Sequence, residues 1–160
     1  MNPMKWIPLL LAAALVGCSP NADAPEPAAD TPEPAVTISG PAITDAWVRQ
    51  VPPTARMTAG YFRIHNPGPA PLVITGVESP LFGLIELHGT FTEDGVARMR
   101  QQETVTVPPG ESVSFEPGGL HLMLMQPVNG IPSSGTLELT LQFDDGTELE
   151  FDAPVSPPRN

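Results

Sequence analysis

The stretch Gly118–Pro127, GGLHLMLMQP, sets one histidine and two methionines at alternate positions among three leucines. In an extended strand successive side chains point to opposite faces, so Leu120, Leu122 and Leu124 share one face and His121, Met123 and Met125 the other. An imidazole beside thioethers is a soft donor set that suits Cu(I). Packing alone also accounts for such residues, because methionine fills irregular cores and a lone histidine is often a hydrogen-bonded surface residue. A second pair lies upstream in LIELHGTFTEDGVARMR, where His88 and Met99 flank an EDG turn signal. A two-residue loop at Asp94 and Gly95 sets Glu93 opposite Val96, Thr90 opposite Met99 and His88 opposite Gln101. His88 and Met99 are then diagonal neighbours on one face, about 7 Å apart between Cβ atoms. This register puts Arg98 and Arg100 on the face of Ile85 and Leu87, a conflict that a bulge would relieve.

Such residues need rigid strands to hold them, and the chain offers little else. It has 22 prolines, 14 glycines and few aromatics, and no helical period separates its apolar runs. Alternating patterns predict strands at Ile43–Arg49, Met57–Asn66, Leu72–Glu78, Leu84–His88, Val96–Gln102, Ser112–Glu116, Leu120–Gln126, Leu137–Phe143 and Glu148–Phe151. Turn residues lie between them, in NPGPAP, EDG, PPGE, PGG and DDG. Short strands at this spacing predict one all-β domain, a Greek-key sandwich or barrel.

The N-terminus reads as a targeting segment rather than as part of the fold. MNPMKWIPLLLAAALVGCSP has a basic residue at Lys5, an apolar stretch from Trp6 to Val16, and then the chain's single cysteine. The stretch is too short to span a bilayer. LVGC resembles a bacterial lipobox, which implies a signal peptide over residues 1–17 and lipidation of Cys18. Residues 18–40 read as a tether rich in proline, alanine and acids, the domain as 41–153, and 154–160 as a disordered tail. At about 3 Å per residue, roughly twenty tether residues could hold a domain up to about 60 Å from a membrane. Cleavage before Cys18 removes Lys5 and no acid, taking the formal charge from −11 to −12. So acidic a chain argues against nucleic acid as a partner. A serine follows the cysteine, which favours the outer membrane if the host is Gram-negative.

His88, ten residues, Met99, twenty-one residues, then His121-Leu122-Met123 is the spacing H-x10-M-x21-H-x-M. It resembles that of the periplasmic copper chaperones called PCu(A)C. The likeness extends from about Ile43 to Phe151 and takes in MTAGYFRIHN, the LHGT...GVARM hairpin, VTVPPGESVSFEPGG and HLMLM. The resemblance implies a cupredoxin-like β-sandwich or barrel. It also implies Cu(I) held by His88, Met99, His121 and Met123, on the periplasmic side of a bacterial membrane. The expected recipient is the copper-bearing subunit of cytochrome c oxidase or another copper carrier. Gly89 departs from the pattern, since many relatives have a glutamate there, and Met125 lies outside the motif.

The donor types agree with a carrier. A blue-copper site needs a thiolate, and the single cysteine is committed to lipid. Zinc sites recruit Cys, His or carboxylate rather than methionine. No nucleophile arrangement and no phosphate loop is present, so no enzymatic activity is expected. Met57 and Tyr61 read as core or rim packing, Trp47 as core, His65 as a solvated loop end, and Asp144 and Asp145 as a turn. A second functional class remains open, a β-sandwich envelope lipoprotein acting as an interaction module, with a copper buffer between the two.

Overall fold

The computed structural model describes residues 40–159. The expected signal peptide, the lipidation site Cys18 and nearly all of the tether lie outside the described residues. Ten strands account for the fold, and the described residues contain no helix. They are β1 (Ala42–Arg49), β2 (Met57–His65), β3 (Leu72–Glu78), β4 (Phe82–Glu93), β5 (Val96–Gln101), β6 (Val105–Val107), β7 (Ser112–Phe115), β8 (Leu120–Pro127), β9 (Thr136–Phe143) and β10 (Glu148–Ser156).

The hydrogen-bonded order is β5-β4-β8-β7-β2-β1-β10-β9-β3-β6, with β2 also pairing directly with β8. Two parallel contacts interrupt an otherwise antiparallel arrangement, β1 with β10 and β7 with β8. The first is brief, Val48 opposite Val155 and Arg49 opposite Ser156, and it is where the sheet passes from one layer to the other. One continuous core fills the space between the layers. Phe62, Ile64, Leu122 and Leu124 enter from one side, and Ile74, Leu137, Leu139, Leu141 and Phe143 from the other. Phe62 on β2 meets Phe151 on β10 with ring centroids 5.2 Å apart. The expected all-β sandwich is therefore the observed fold.

Alternation in β8 runs as the sequence predicts. Leu122 and Leu124 have no solvent exposure, and each such side chain contributes about 1.5–3 kcal/mol by burial. A one-residue slip would bring His121, Met123 and Met125 inward in their place, so the core fixes which face carries the donors. In β1 a register shift between Thr44 and Trp47, with Asp45 at φ 55°, resets the alternation. Aspartate tolerates this left-handed conformation better than most residues. The shift sends Ile43 and Val48 to the core while Trp47 stands opposite Tyr61 on the other face.

Four expectations need correction. β6 was not foreseen, since three residues are too few to show alternation; it pairs Val107 with Leu72 and Val105 with Ile74. β4 is longer than Leu84–His88, starting at the buried Phe82 and continuing past the core to Glu93. β10 does not stop at Phe151 but runs through Ser156, so residues 154–156 belong to a strand rather than a tail. The fourth is the conflict of faces in the β4–β5 hairpin, which is resolved without a bulge. Asp94 (φ 52°) and Gly95 (φ 76°) form a two-residue turn of the type that needs positive φ at both positions, and the pairing from Glu93–Val96 to His88–Gln101 is regular. Arg98 and Arg100 share a face with Leu87 without conflict because β5 lies wholly in solvent. There Glu93 takes both arginines, at 3.6 Å and 2.8 Å.

Candidate metal centre

The outer face of β5-β4-β8-β2-β1 carries the candidate donors in rows that follow from the pairing register. His88 on β4 stands directly opposite His121 on β8, and Glu86 opposite Met123. Met99 on β5 faces Thr90, two residues along from His88 on the same face. Met123 also pairs with Ala59 on β2, whose small side chain leaves room beside the thioether. The structure thus brings His88, His121 and Met123 onto adjacent strands. Met99 joins from the edge strand at the diagonal position expected from the hairpin.

The two imidazoles lie 5.9 Å apart between ring centroids and are tilted by 53°. Each has one nitrogen fixed. The Nδ1–H of His121 donates to the carbonyl of Gly119 at 3.0 Å, and that carbonyl also accepts the backbone N–H of Thr90. A carbonyl can only accept, so the proton sits on Nδ1 and the Nε2 lone pair of the neutral ring is free. On His88 the fixed nitrogen is the other one: Nε2 lies 2.9 Å from the carboxylate of Glu86. By the same reasoning the neutral ring carries its proton on Nε2. Its Nδ1 is buried and has no hydrogen-bond partner. A buried acceptor left unpaired costs about 1–3 kcal/mol, and a carboxylate holding the back of a histidine is the usual support of a metal ligand.

His121 is only 5% exposed. Burial holds its pKa below the ordinary imidazole value; its hydrogen bond to Gly119 works the other way, while the charges of His88 and Arg49 push further down. The ring is therefore neutral, with a lone pair available, at neutral pH. A cleft of about 350 Å³ opens over Met99, His121 and Met123 and is lined also by Tyr61, Met57 and Arg49; His88, with its Nδ1 buried, is not part of its lining. Met99 is 56% exposed, so the site is open on its edge-strand side.

Several neighbours were not read from the sequence. Glu86 precedes His88 by two residues on the same face, and the ELH spacing is the mark it leaves in the sequence. Tyr61 is buried beside His121, with ring centroids 6.5 Å apart, and stacks on Trp47 at 4.5 Å. Trp47 is buried as expected but lies outside the main core, with the Arg159 guanidinium 5.2 Å from its ring centroid. Met57, expected to pack in the core or at its rim, is half exposed at the cleft. Gly89 allows the Phe91 ring to fold back: a Cβ there would lie 2.8 Å from that ring, on the face away from the donors. His65 is an exposed strand end whose Nδ1 lies 3.1 Å from the Glu111 carbonyl.

Known proteins share this fold. The copper-bound PCuAC domain of PmoF2 superposes with a TM-score of 0.61 at 24% identity, over 74% of this chain and 93% of that one. The Cu(I) form of DR1885 from Deinococcus radiodurans is 31% identical, with a TM-score of 0.57, over 69% of this chain and 74% of that protein. The resemblance to PCu(A)C proteins expected from the sequence thus holds. A "Putative lipoprotein" of Leifsonia xyli subsp. xyli is 29% identical over 111 residues, which span 69% of this chain and 66% of that relative, just under two thirds of its length. The family described as "Putative lipoprotein LpqE-like" matches residues 41–155, nearly the whole of the described sandwich, and the chain belongs to that LpqE-like family.

Proposed function

We propose that this protein is an extracytoplasmic copper carrier, tethered by lipid at Cys18. It holds one Cu(I) through His88, Met99, His121 and Met123 and passes it to the copper centre of cytochrome c oxidase or to another carrier. The observation that carries the reading is the facing pair of histidines, each with one nitrogen held by a fixed acceptor and the other without a partner. Two thioethers stand next to them on the same face. Imidazole with thioether suits Cu(I), and neutral ligands leave the ion with its single charge, which Glu86 beside His88 offsets. The match to proteins solved with copper, and to a family described as lipoproteins, supports the same reading.

Passing the ion on requires that a ligand can leave. Met99 is exposed on an edge strand, so an incoming donor can take its place while the two histidines still hold the ion. Release then proceeds by stepwise exchange, with no free ion. The test is an anaerobic titration of the purified full-length protein with Cu(I) against a chromophoric chelator. One equivalent should be withdrawn from the chelator, and the His88→Ala/His121→Ala double variant should withdraw none. Equal uptake by the two proteins would refute the assignment.

A further inference from the structure

All four methionines among the described residues, Met57, Met99, Met123 and Met125, stand on the outer face of this one sheet, and none belongs to the hydrophobic core. That core is built from leucine, isoleucine, valine, phenylalanine and one alanine. Methionine is ordinarily used to fill irregular interiors, so packing gives no reason to keep it out of the core and collect it at the surface. The copper site proposed above uses Met99 and Met123. The other two thioethers have a geometry of their own.

Met57 on β2 is directly opposite Met125 on β8. Facing residues of an antiparallel pair have Cβ atoms about 4.5–5.5 Å apart, within reach for two thioethers to meet on one ion. Met125 lies two residues beyond Met123, about 7 Å along the strand, so it does not reach the histidine site without moving the backbone. Met57 is 50% exposed and lines the same cleft as Met99, His121 and Met123. The residue facing Met125 on its other side is Leu84, so no charged side chain competes in that row.

Resting on the copper reading of the cleft, we propose that Met57 and Met125 form a second soft-metal station. It binds Cu(I) between two thioethers, more weakly than the His/Met site, and exchanges the ion with Met123. Two uncharged sulfurs without an imidazole make a loosely held ion, as an entry or exit point requires. An apolar docking patch would use the same residues for their surface alone, and sulfur separates the two ideas. Leucine has nearly the volume and apolar character of methionine and no donor atom.

Native mass spectrometry of the purified full-length protein, titrated anaerobically with Cu(I), tests the station. Wild type should take up a second ion after the first. Met57→Leu and Met125→Leu should each weaken the second binding step at least tenfold and leave the first unchanged. The methyl NMR signals of Met57 and Met125 should move with the second equivalent and not with the first. A wild-type protein that stops at one ion, or leucine variants that still take two, overturns the station and leaves the His/Met site standing. A protein that takes up none overturns both.

Discussion

Glu86 offers the sharpest test of how the donors are held. Its carboxylate, 2.9 Å from His88 Nε2, sets the ring's tautomer and leaves Nδ1 buried with no partner. In the metal-free protein that orphan nitrogen costs about 1–3 kcal/mol, a cost that the proposed coordination would relieve. Without Glu86 the ring is free to turn and find a partner, so the metal gains less on binding. Measured losses on removing such supporting groups, typically 10–100-fold in metal affinity or about 1.4–2.7 kcal/mol, fall in the same range. Glu86→Leu, which removes both acceptor and charge, should lie near the hundredfold end. Glu86→Gln keeps an amide oxygen able to accept from Nε2–H but carries no charge, and should lie nearer tenfold. Competition titration with Cu(I) under anaerobic conditions reads the affinities, and far-UV circular dichroism checks the fold. Glu86→Leu binding within twofold of wild type would refute the reasoning, as would a larger loss for Gln than for Leu.

Other outcomes follow from the same geometry. His88→Ala, His121→Ala and Met123→Ala should each weaken Cu(I) binding at least tenfold, about 1.4 kcal/mol, while Met99→Ala should weaken it less and Met125→Ala should stay close to wild type in the first binding step. Circular dichroism must accompany Met123→Ala, because Met123 is partly buried and truncating a fully buried methionine costs about 2–5 kcal/mol, an upper bound here. Because burial depresses the His121 pKa, the unfolded chain binds more protons between the folded value and about pH 6.5; this contribution to stability is full above pH 6.5 and is lost as pH falls through the folded value. His121→Leu should flatten that part of the denaturant-midpoint profile of the metal-free protein, and an unchanged slope would count against it. Cys18→Ser should move the protein from the membrane to the soluble fraction, since acyl chains contribute about 0.8 kcal/mol per buried CH₂; retention on membranes after a high-salt wash would rule out lipid as the anchor.

The sequence made the site legible where a local rule applied. Period-two alternation placed His121, Met123 and Met125 opposite the leucines. The Asp94-Gly95 turn then fixed the hairpin register down to the diagonal of His88 and Met99. What stayed hidden depends on which strands lie side by side. Nothing local says that β8 runs between β4 and β2, and only that arrangement puts His88 opposite His121 and Met57 opposite Met125. Trp47 is expected in the core from the sequence. Here it is buried on the opposite face, after a register shift at Asp45 that a regular strand pattern does not announce. The arginines of β5 conflict with Ile85 and Leu87 only if the whole hairpin packs on the core; it carries on into solvent instead, and the conflict disappears.

The same arrangement divides the proposed ligands into two kinds. His121 and Met123 sit on β8, which is paired on both sides and pinned by Leu122 and Leu124, and His88 sits opposite His121 on β4. Those three positions move only if core packing is lost. Met99 is held differently. All of β5 is exposed, it pairs with β4 alone, and its register rests on a two-residue turn and the Glu93 ion pairs. Exposed ion pairs are worth little, so this strand can open at far lower free energy than the sandwich beneath it. A site with its histidines on rigid strands and one thioether on a strand that opens easily retains its ion between encounters, yet can yield one coordination position at a time. That is the property a carrier needs and a permanently bound structural metal does not.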